Sequence, residues 1–263
     1  MTETKGEYMD INIAYAGDRK IAVDLLRFIL KEGVKPKALF VSSDKKASHD
    51  DELIELCSHL DNSKIFRGKE FKEENSVEEL KSLKLDYIIS IHFPYIYPKD
   101  ILDLPAHGVI NLHPAYLPFN RGWHTPTWAI YEDTPYGATM HFMDEDVDCG
   151  DIINREKVEK KPEDTANSLY KKVLNVEKKL FKDTWKDLIN FEYDRIPQEL
   201  DRGTKHHKEG IKKIQRLKLD EKVKVEELIR KLRALTTNKI SEAAYFEKNG
   251  NKYSVQINIE KED

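Results

Sequence analysis

The chain has 263 residues, with 44 Lys and Arg against 48 Asp and Glu, a formal net charge of -4. That balance argues against a dedicated nucleic-acid binder, which shows a clear basic excess. No apolar run approaches the ~20 residues that span a bilayer, and two cysteines far apart, Cys57 and Cys149, give neither a disulfide framework nor zinc spacing. The opening MTETKGEYMD is too polar for a secretory signal, so a cytoplasmic protein is expected, with Met9 as an alternative start. Hydrophobic content of 39% suffices for a core, and the length suits one large domain with a small appendage.

In chain order, Ile11–Ala16 is an apolar run closed by Gly17 and predicts a first strand. Ile21, Leu25, Phe28 and Ile29 then recur at helical spacing, with Gly33 placed to end the helix. Ala38–Val41 predicts a second strand, Asp50–Leu60 a helix and Ile65–Phe66 a third, weaker strand. Ser76–Leu83 reads as a helix with Ser76 as its N-cap and Glu79 three residues on. Asp86–Ile91 and Gly108–Leu112 are two more buried strands. Such alternation predicts an α/β fold, a doubly wound and mostly parallel sheet whose ligands sit beyond the carboxyl ends of its strands. Without a GxGxxG after the first strand, a dinucleotide cofactor is not supported.

Gly137–Met143 and Asp151–Val158 read as further strands, and Thr165–Ile189 as a long helix capped by Asp164 or Thr165. Composition changes at Ile196, so residues 1–195 are taken as the catalytic domain and 196–263 as a small C-terminal α+β module. The module holds an amphipathic helix (Val225, Leu228, Ile229, Leu232) and closes on a hairpin turned by Asn249-Gly250.

The chemistry concentrates between Asn111 and Asp151. Asn111 and His113 lie two apart on one strand and so face the same cleft, and Asp148 follows among Pro- and Gly-bearing turns. An amide donor, an imidazole and a carboxylate are the parts of an acyl transfer: an oxyanion donor, a proton shuttle and an orienting base. A lone Asn-x-His is usually structural, and His141, on an alternating strand, reads equally well as a packed core histidine or a partner of the site.

NLHPAYLP followed by GATMHFMDEDVDCGDII resembles the N10-formyltetrahydrofolate-dependent formyltransferases and hydrolases over roughly residues 10 to 190. The resemblance implies Asn111, His113 and Asp148 as the catalytic trio, with N10-formyltetrahydrofolate as co-substrate and no metal. It also implies that Phe93, Tyr95 and Ile96 of an unusually apolar loop, with Met143 and Asp144, line the pterin pocket. Cys149 is read as a packing substitution, since nothing beside it marks an activated thiol.

Within that family, FNRGWHTPTWAI, GTKHH and the terminal hairpin are most similar to the enzymes that formylate nucleotide-linked amino sugars. The implied substrate is a 3- or 4-amino dideoxy sugar on a nucleoside diphosphate, thymidine ahead of guanosine, destined for surface-glycan (O-antigen) synthesis. Arg121, Trp123, His124, Lys205 and His206 are the candidate contacts to it, Arg and Lys suiting a diphosphate. Trp123, Tyr245 or Phe246 would stack on the base, although the last two read better as hairpin core. A homodimer through the hairpin's edge strands is expected. The alternatives are a formyltetrahydrofolate hydrolase, which has no need of Arg121 and the basic tail, and a catalytically silent binding homologue, which has no need of the intact trio.

Overall fold

The computed structural model describes residues 11–43 and 48–262; the alternative start at Met9 lies outside the described residues. Strands β1 (Ile13–Gly17), β2 (Ala38–Val41), β3 (Ile65–Arg67), β4 (Tyr87–Ile91) and β5 (Gly108–His113) pair in parallel. Every residue of β1, β2 and β4 is buried, as expected of strands covered on both faces. The connecting helices are α1 (Arg19–Lys31), α2 (Asp50–Leu56), α3 (Glu74–Ser82) and the single turn α4 (Lys99–Leu102).

The chain then forms the short β6 (Arg121–Gly122), helix α5 (Thr125–Tyr131), and strands β7 (Gly137–Phe142) and β8 (Ile152–Lys157). β7 joins β5 antiparallel and β8 joins β7 antiparallel, giving a seven-stranded sheet in the order β3-β2-β1-β4-β5-β7-β8. Helix α6 (Ala166–Ile189) covers the sheet. It starts at Thr165, whose side chain and that of Ser168 cap each other's backbone N–H groups.

The two faces are chemically distinct. One packs Ile13, Tyr15, Leu39, Ile89 and Leu112 against α1, α2 and α6. The other packs Ala14, Ala16, Phe40, Ile88 and Val109 against α3 and the loop carrying Phe93 and Tyr97. By the two-residue period of a strand, Asn111 and His113 share the face of Val109. The order reverses between β1 and β4, the crevice in which such sheets hold ligands.

The tail packs onto this body. It contributes β9 (Lys205–His206), the turn α7 (Lys212–Gln215), helix α8 (Val225–Ala234) and the hairpin β10 (Ala244–Lys248) and β11 (Asn251–Val255). β9 pairs with β6. Arg233, in α8, donates to the carbonyls of Asp164 and Lys161 at 2.7 Å each. Asn249 and Gly250 have φ of 52° and 77° and form the expected tight turn.

Some boundaries differ from the sequence expectation. α2 stops at Leu56 rather than Leu60, because Cys57 to Leu60 fold back into a turn closed by Leu60 N–H on the Cys57 carbonyl. α3 begins at Glu74, so Ser76 lies inside it and does not cap it; Glu73 is the N-cap and makes no side-chain cap bond. A Glu in the first turn favours that earlier start through the helix dipole.

The burial of α6 predicts a sharp contrast on one helix. Phe181 is fully buried while Lys171 is exposed. Phe181→Ala is expected to cost about 3–5 kcal/mol in urea unfolding and Lys171→Ala less than about 0.5 kcal/mol; equal costs would contradict this packing.

Candidate active site

β5 presents Asn111 and His113 from one face, and β7 sets His141 opposite Asn111 and Thr139 opposite His113. Asn111 Nδ2 lies 3.2 Å from His141 Nε2. The other ring nitrogen of His141, Nδ1, is 2.7 Å from the Phe142 carbonyl, which can only accept. Nδ1 therefore carries the proton, Nε2 is the acceptor, and the Asn111 amide donates to it. Burial drives the His141 pKa from 6.5 down to about 4, against the upward pull of Asp148 and with a smaller downward push from His113. His141 is thus neither a filler of the core nor a proton shuttle; it is a neutral clamp on the Asn111 amide.

Asp148 reaches the same point from the loop after β7. Its carboxylate lies 3.4 Å from His113 Nε2 and 3.6 Å from His141 Nε2, with the side chain only 9% exposed. His113 Nε2 is itself buried and has no hydrogen-bond partner, so the 3.4 Å contact is an ion-pair approach without hydrogen-bond alignment. Asp148 Oδ2 accepts instead from the backbone N–H of Gly122 at 2.9 Å. Asp148 holds a left-handed φ of 56°, which Asp tolerates better than most residues. Gly150, two residues on, leaves no space for a side chain: a Cβ there would meet the Phe142 carbonyl at 2.1 Å.

The five residues expected to contact folate fall on the loop after β4 and at the end of β7. Phe93 is buried in an aromatic cluster with Phe40, Phe71 and Tyr97, and Tyr95 and Met143 pack against that cluster. Ile96 points to solvent at 70% exposure. Asp144 is exposed, and its carboxylate accepts from the Glu145 N–H at 2.6 Å. A cavity of about 280 Å³ opens beside the start of β5, lined by Met143 and Asp144 with Leu102, His107, Gly108 and Arg195. It draws in Met143 and Asp144 but none of the three loop residues. The loop is anchored by His92, a residue that sequence reasoning missed: its Nε2 is 2.9 Å from Glu177 of α6, and the two side chains are 4% and 0% exposed.

The β6–β9 ladder gathers Arg121, Trp123, His124, Lys205 and His206 on the other side of Asp148. Arg121 is buried and directs Nη1 to the Cys149 sulfur at 2.9 Å. His206 stacks on Trp128, with ring centroids 4.0 Å apart, and pairs with Glu132 at 3.1 Å. Burial is the main cause of a lowered His206 pKa, which Glu132 opposes. Trp123 is 46% exposed with the Lys208 ammonium 5.0 Å from its ring, and His124 lies 3.8 Å from Glu242. Tyr245 and Phe246 engage their own hairpin: Lys252 sits over Tyr245 at 3.7 Å, and Phe246 stacks on Tyr253 at 5.1 Å. Among the described residues no group of three or more His, Cys, Asp or Glu is arranged to hold a metal ion, and no helix is long and apolar enough to cross a membrane.

A doubly wound sheet with an amide, an imidazole and a buried carboxylate at the carboxyl end of β5 defines a class of acyl-transfer folds. The comparisons narrow it. The family model described as Formyl transferase matches residues 11–184, and one described as N-formyltransferase dimerization C-terminal domain matches residues 211–261. The chain belongs to the formyl transferase family. A methionyl-tRNA formyltransferase of Alkaliphilus oremlandii is 29% identical over 199 residues, 74% of this chain but only 64% of that protein's length. Among solved structures, a 4-N formyltransferase from Francisella tularensis superposes with a TM-score of 0.81 at 29% identity, covering 96% of this chain and 99% of that one. An N-formyltransferase from Helicobacter canadensis, solved with folinic acid and dTDP-3-aminofucose, shares the fold: TM-score 0.70, 23% identity, 91% and 85% coverage.

Neutral His141 has a consequence for stability. Between about pH 6.5 and 4 the unfolded chain binds a proton at this residue that the folded chain does not. Stability therefore falls as pH falls through that window, by up to ~1.4 kcal/mol per pH unit, and this group adds no slope above it. Urea midpoints of His141→Gln should show that part of the slope removed; an unchanged slope would mean that His141 takes up its proton in the folded state.

Proposed function

We propose that the protein moves a formyl group from N10-formyltetrahydrofolate to the amine of a nucleotide-diphosphate-linked 3- or 4-amino dideoxy sugar, a step in making surface-glycan precursors. The observation that carries the reading is the convergence of Asn111, His113 and Asp148 around buried His141, with the β6 segment of Arg121 to Trp123 bonded to Asp148 through the Gly122 N–H. The likeness to the Francisella tularensis 4-N formyltransferase over almost its whole length supports it. So does the tail, whose matched model is that of N-formyltransferases. A thymidine nucleotide is the preferred carrier, in line with the ligand of the Helicobacter canadensis neighbour.

The residues divide the chemistry as follows. The unprotonated amine of the sugar bonds to the formyl carbon, and the carbonyl electron pair moves onto oxygen. One N–H of Asn111 is committed to His141, which orients the second toward the developing oxyanion. His113, beside the Asp148 carboxylate, donates a hydrogen bond to the same oxygen. Asp148 accepts the proton released by the amine and passes it to N10 of the folate as the C–N10 bond breaks. No covalent enzyme intermediate is needed. Phe93, Tyr95, Ile96, Met143 and Asp144 remain the proposed folate contacts, and Arg121, Trp123, His124, Lys205 and His206 the proposed contacts to the nucleotide sugar.

Each oxyanion donor contributes about 2.7–4 kcal/mol. Asn111→Ala and His113→Ala should therefore each lower kcat by about 10²–10³-fold with little change in KM. The assay uses N10-formyltetrahydrofolate against thymidine- and guanosine-diphosphate 3-amino and 4-amino sugars. Folate consumption without a sugar requirement would make the protein a hydrolase; formylation of methionyl-tRNA instead would move it to the class of its curated relatives.

The same reading has two copies pair through the C-terminal module, where Val225 and Tyr253 stand 71% and 46% exposed. Light scattering is expected to give twice the mass of a single chain, and a monomer at micromolar concentration would refute it.

A further inference from the structure

Asp148 is supplied by the catalytic body, yet the side chain that holds its backbone and the strand that aims the Gly122 N–H at its carboxylate come from the stretch between the two matched regions, residues 185–210. The chain leaves α6 and returns to the sheet at Ile196, whose backbone exchanges hydrogen bonds with Ile152 of β8 at 2.8 and 2.9 Å. Two residues on, the Gln198 amide reaches the catalytic loop. Its Nε2 donates to the Asp148 carbonyl at 3.0 Å and to the Gly150 carbonyl at 2.7 Å. These two bonds use both protons of the amide and span Cys149, fixing the chain immediately after Asp148, the residue with the left-handed backbone. Gln198 Oε1 is left buried and without a partner, so no competing bond inside the protein explains the placement of this side chain.

The opposite side of Asp148 is held from the same stretch. Arg121 N–H and Trp123 N–H donate to the carbonyls of Thr204 and His206 at 2.9 and 3.0 Å. Successive N–H groups of an extended chain point in opposite directions. Pairing with β9 through residues 121 and 123 thus turns the Gly122 N–H away from β9 and onto Asp148 Oδ2. Only glycine fits there: its φ is +90°, and a Cβ would meet the His206 carbonyl at 2.3 Å.

We infer that Gln198 is the positioning residue of the catalytic carboxylate, acting with the β6–β9 ladder, so that the segment after α6 completes the active site. The inference rests on the reading of Asp148 as the proton acceptor. Gln198 fixes the backbone from which the side chain springs, and Gly122 fixes the carboxylate. Without Gln198 the loop from Met143 to Asp148 is released from its C-terminal anchor, and Asp148 drifts from His113.

Gln198→Ala and Gln198→Glu in the full chain test this. In the formyl-transfer assay both should lose at least 30-fold in kcat with both KM values within threefold. Hydrogen exchange at the Gly122 amide, followed by NMR, should accelerate at least tenfold, as in an Asp148→Ala control. Gln198→Glu should also recover activity relative to wild type as the pH is lowered, because a protonated carboxyl regains one donor; a merely structural role has no reason to show this recovery. Wild-type kcat and Gly122 protection in both variants would overturn the inference. So would parallel losses of stability and KM without acid recovery in Gln198→Glu. A wild type that turns over no amino-sugar nucleotide removes the functional reading alone, and the exchange measurement, which needs no substrate, then decides for or against Gln198.

Discussion

A carboxylate that is almost buried is costly unless its oxygens are answered, and the site is organised around answering those of Asp148. Two imidazoles lie within 3.6 Å of it, yet they differ in kind. His141 is fully buried, and its Nδ1 proton is spent on a backbone carbonyl, so it stays neutral and faces Asp148 with a lone pair. His113 keeps an Nε2 with no other partner, free to answer the charge. Both rings are buried, so it is the bond from His141 Nδ1 to the Phe142 carbonyl that separates them. The separation needs no difference in residue type, only a different partner on the second nitrogen.

The sheet explains why these groups meet. β5 is the last parallel strand and β7 returns beside it, so one face of β5 receives side chains from a neighbour running the other way. The antiparallel register sets His141 directly opposite Asn111, where a parallel neighbour would need a crossover connection to arrive. The aromatic cluster beneath this face, around Phe40, Phe71, Phe93 and Tyr97, closes it on the α3 side. The buried His92–Glu177 pair clasps the start of the apolar loop to α6 on the other face. Many of the ion pairs elsewhere, such as Lys179 with Asp183, are exposed and contribute little.

Much of this was legible in the chain. Strands with uniform burial read as apolar runs, and the two-residue spacing of Asn111 and His113 was enough to place them on one face. The Asn249-Gly250 turn follows from local chemistry alone, whereas local chemistry leaves Asp164 and Thr165 as equal candidates for the α6 cap and the structure uses Thr165. What stayed hidden depends on long-range pairing. Ser76 looks like a cap because Glu79 follows it, but the helix starts two residues earlier at Glu74, whose carboxylate suits a first turn. In the sequence His141 fits two roles equally, since only its register with Asn111 decides between them. His92, Glu177 and Gln198 carried no signal, because a polar side chain in a loop or helix reveals a buried partner only when the partner is in place.

The tail is the least legible part and the one that most changes how the site works. A basic, polar stretch after a long helix reads as an appendage, yet it supplies β9 and bonds directly to the backbone of Asp148. Helix α8 in turn packs beside α5, which begins immediately after Trp123 and His124, and Glu242 approaches His124 from the same module. The rim that would receive the nucleotide is therefore shared between body and tail. A dimer contact made through the hairpin would bear on that rim through few intermediaries: Glu242 lies two residues before β10, and Leu217 N–H bonds to the Tyr245 carbonyl at 2.7 Å. If two copies pair as proposed, their pairing and the shape of the acceptor site would not be separable, because the same short module would have to satisfy both.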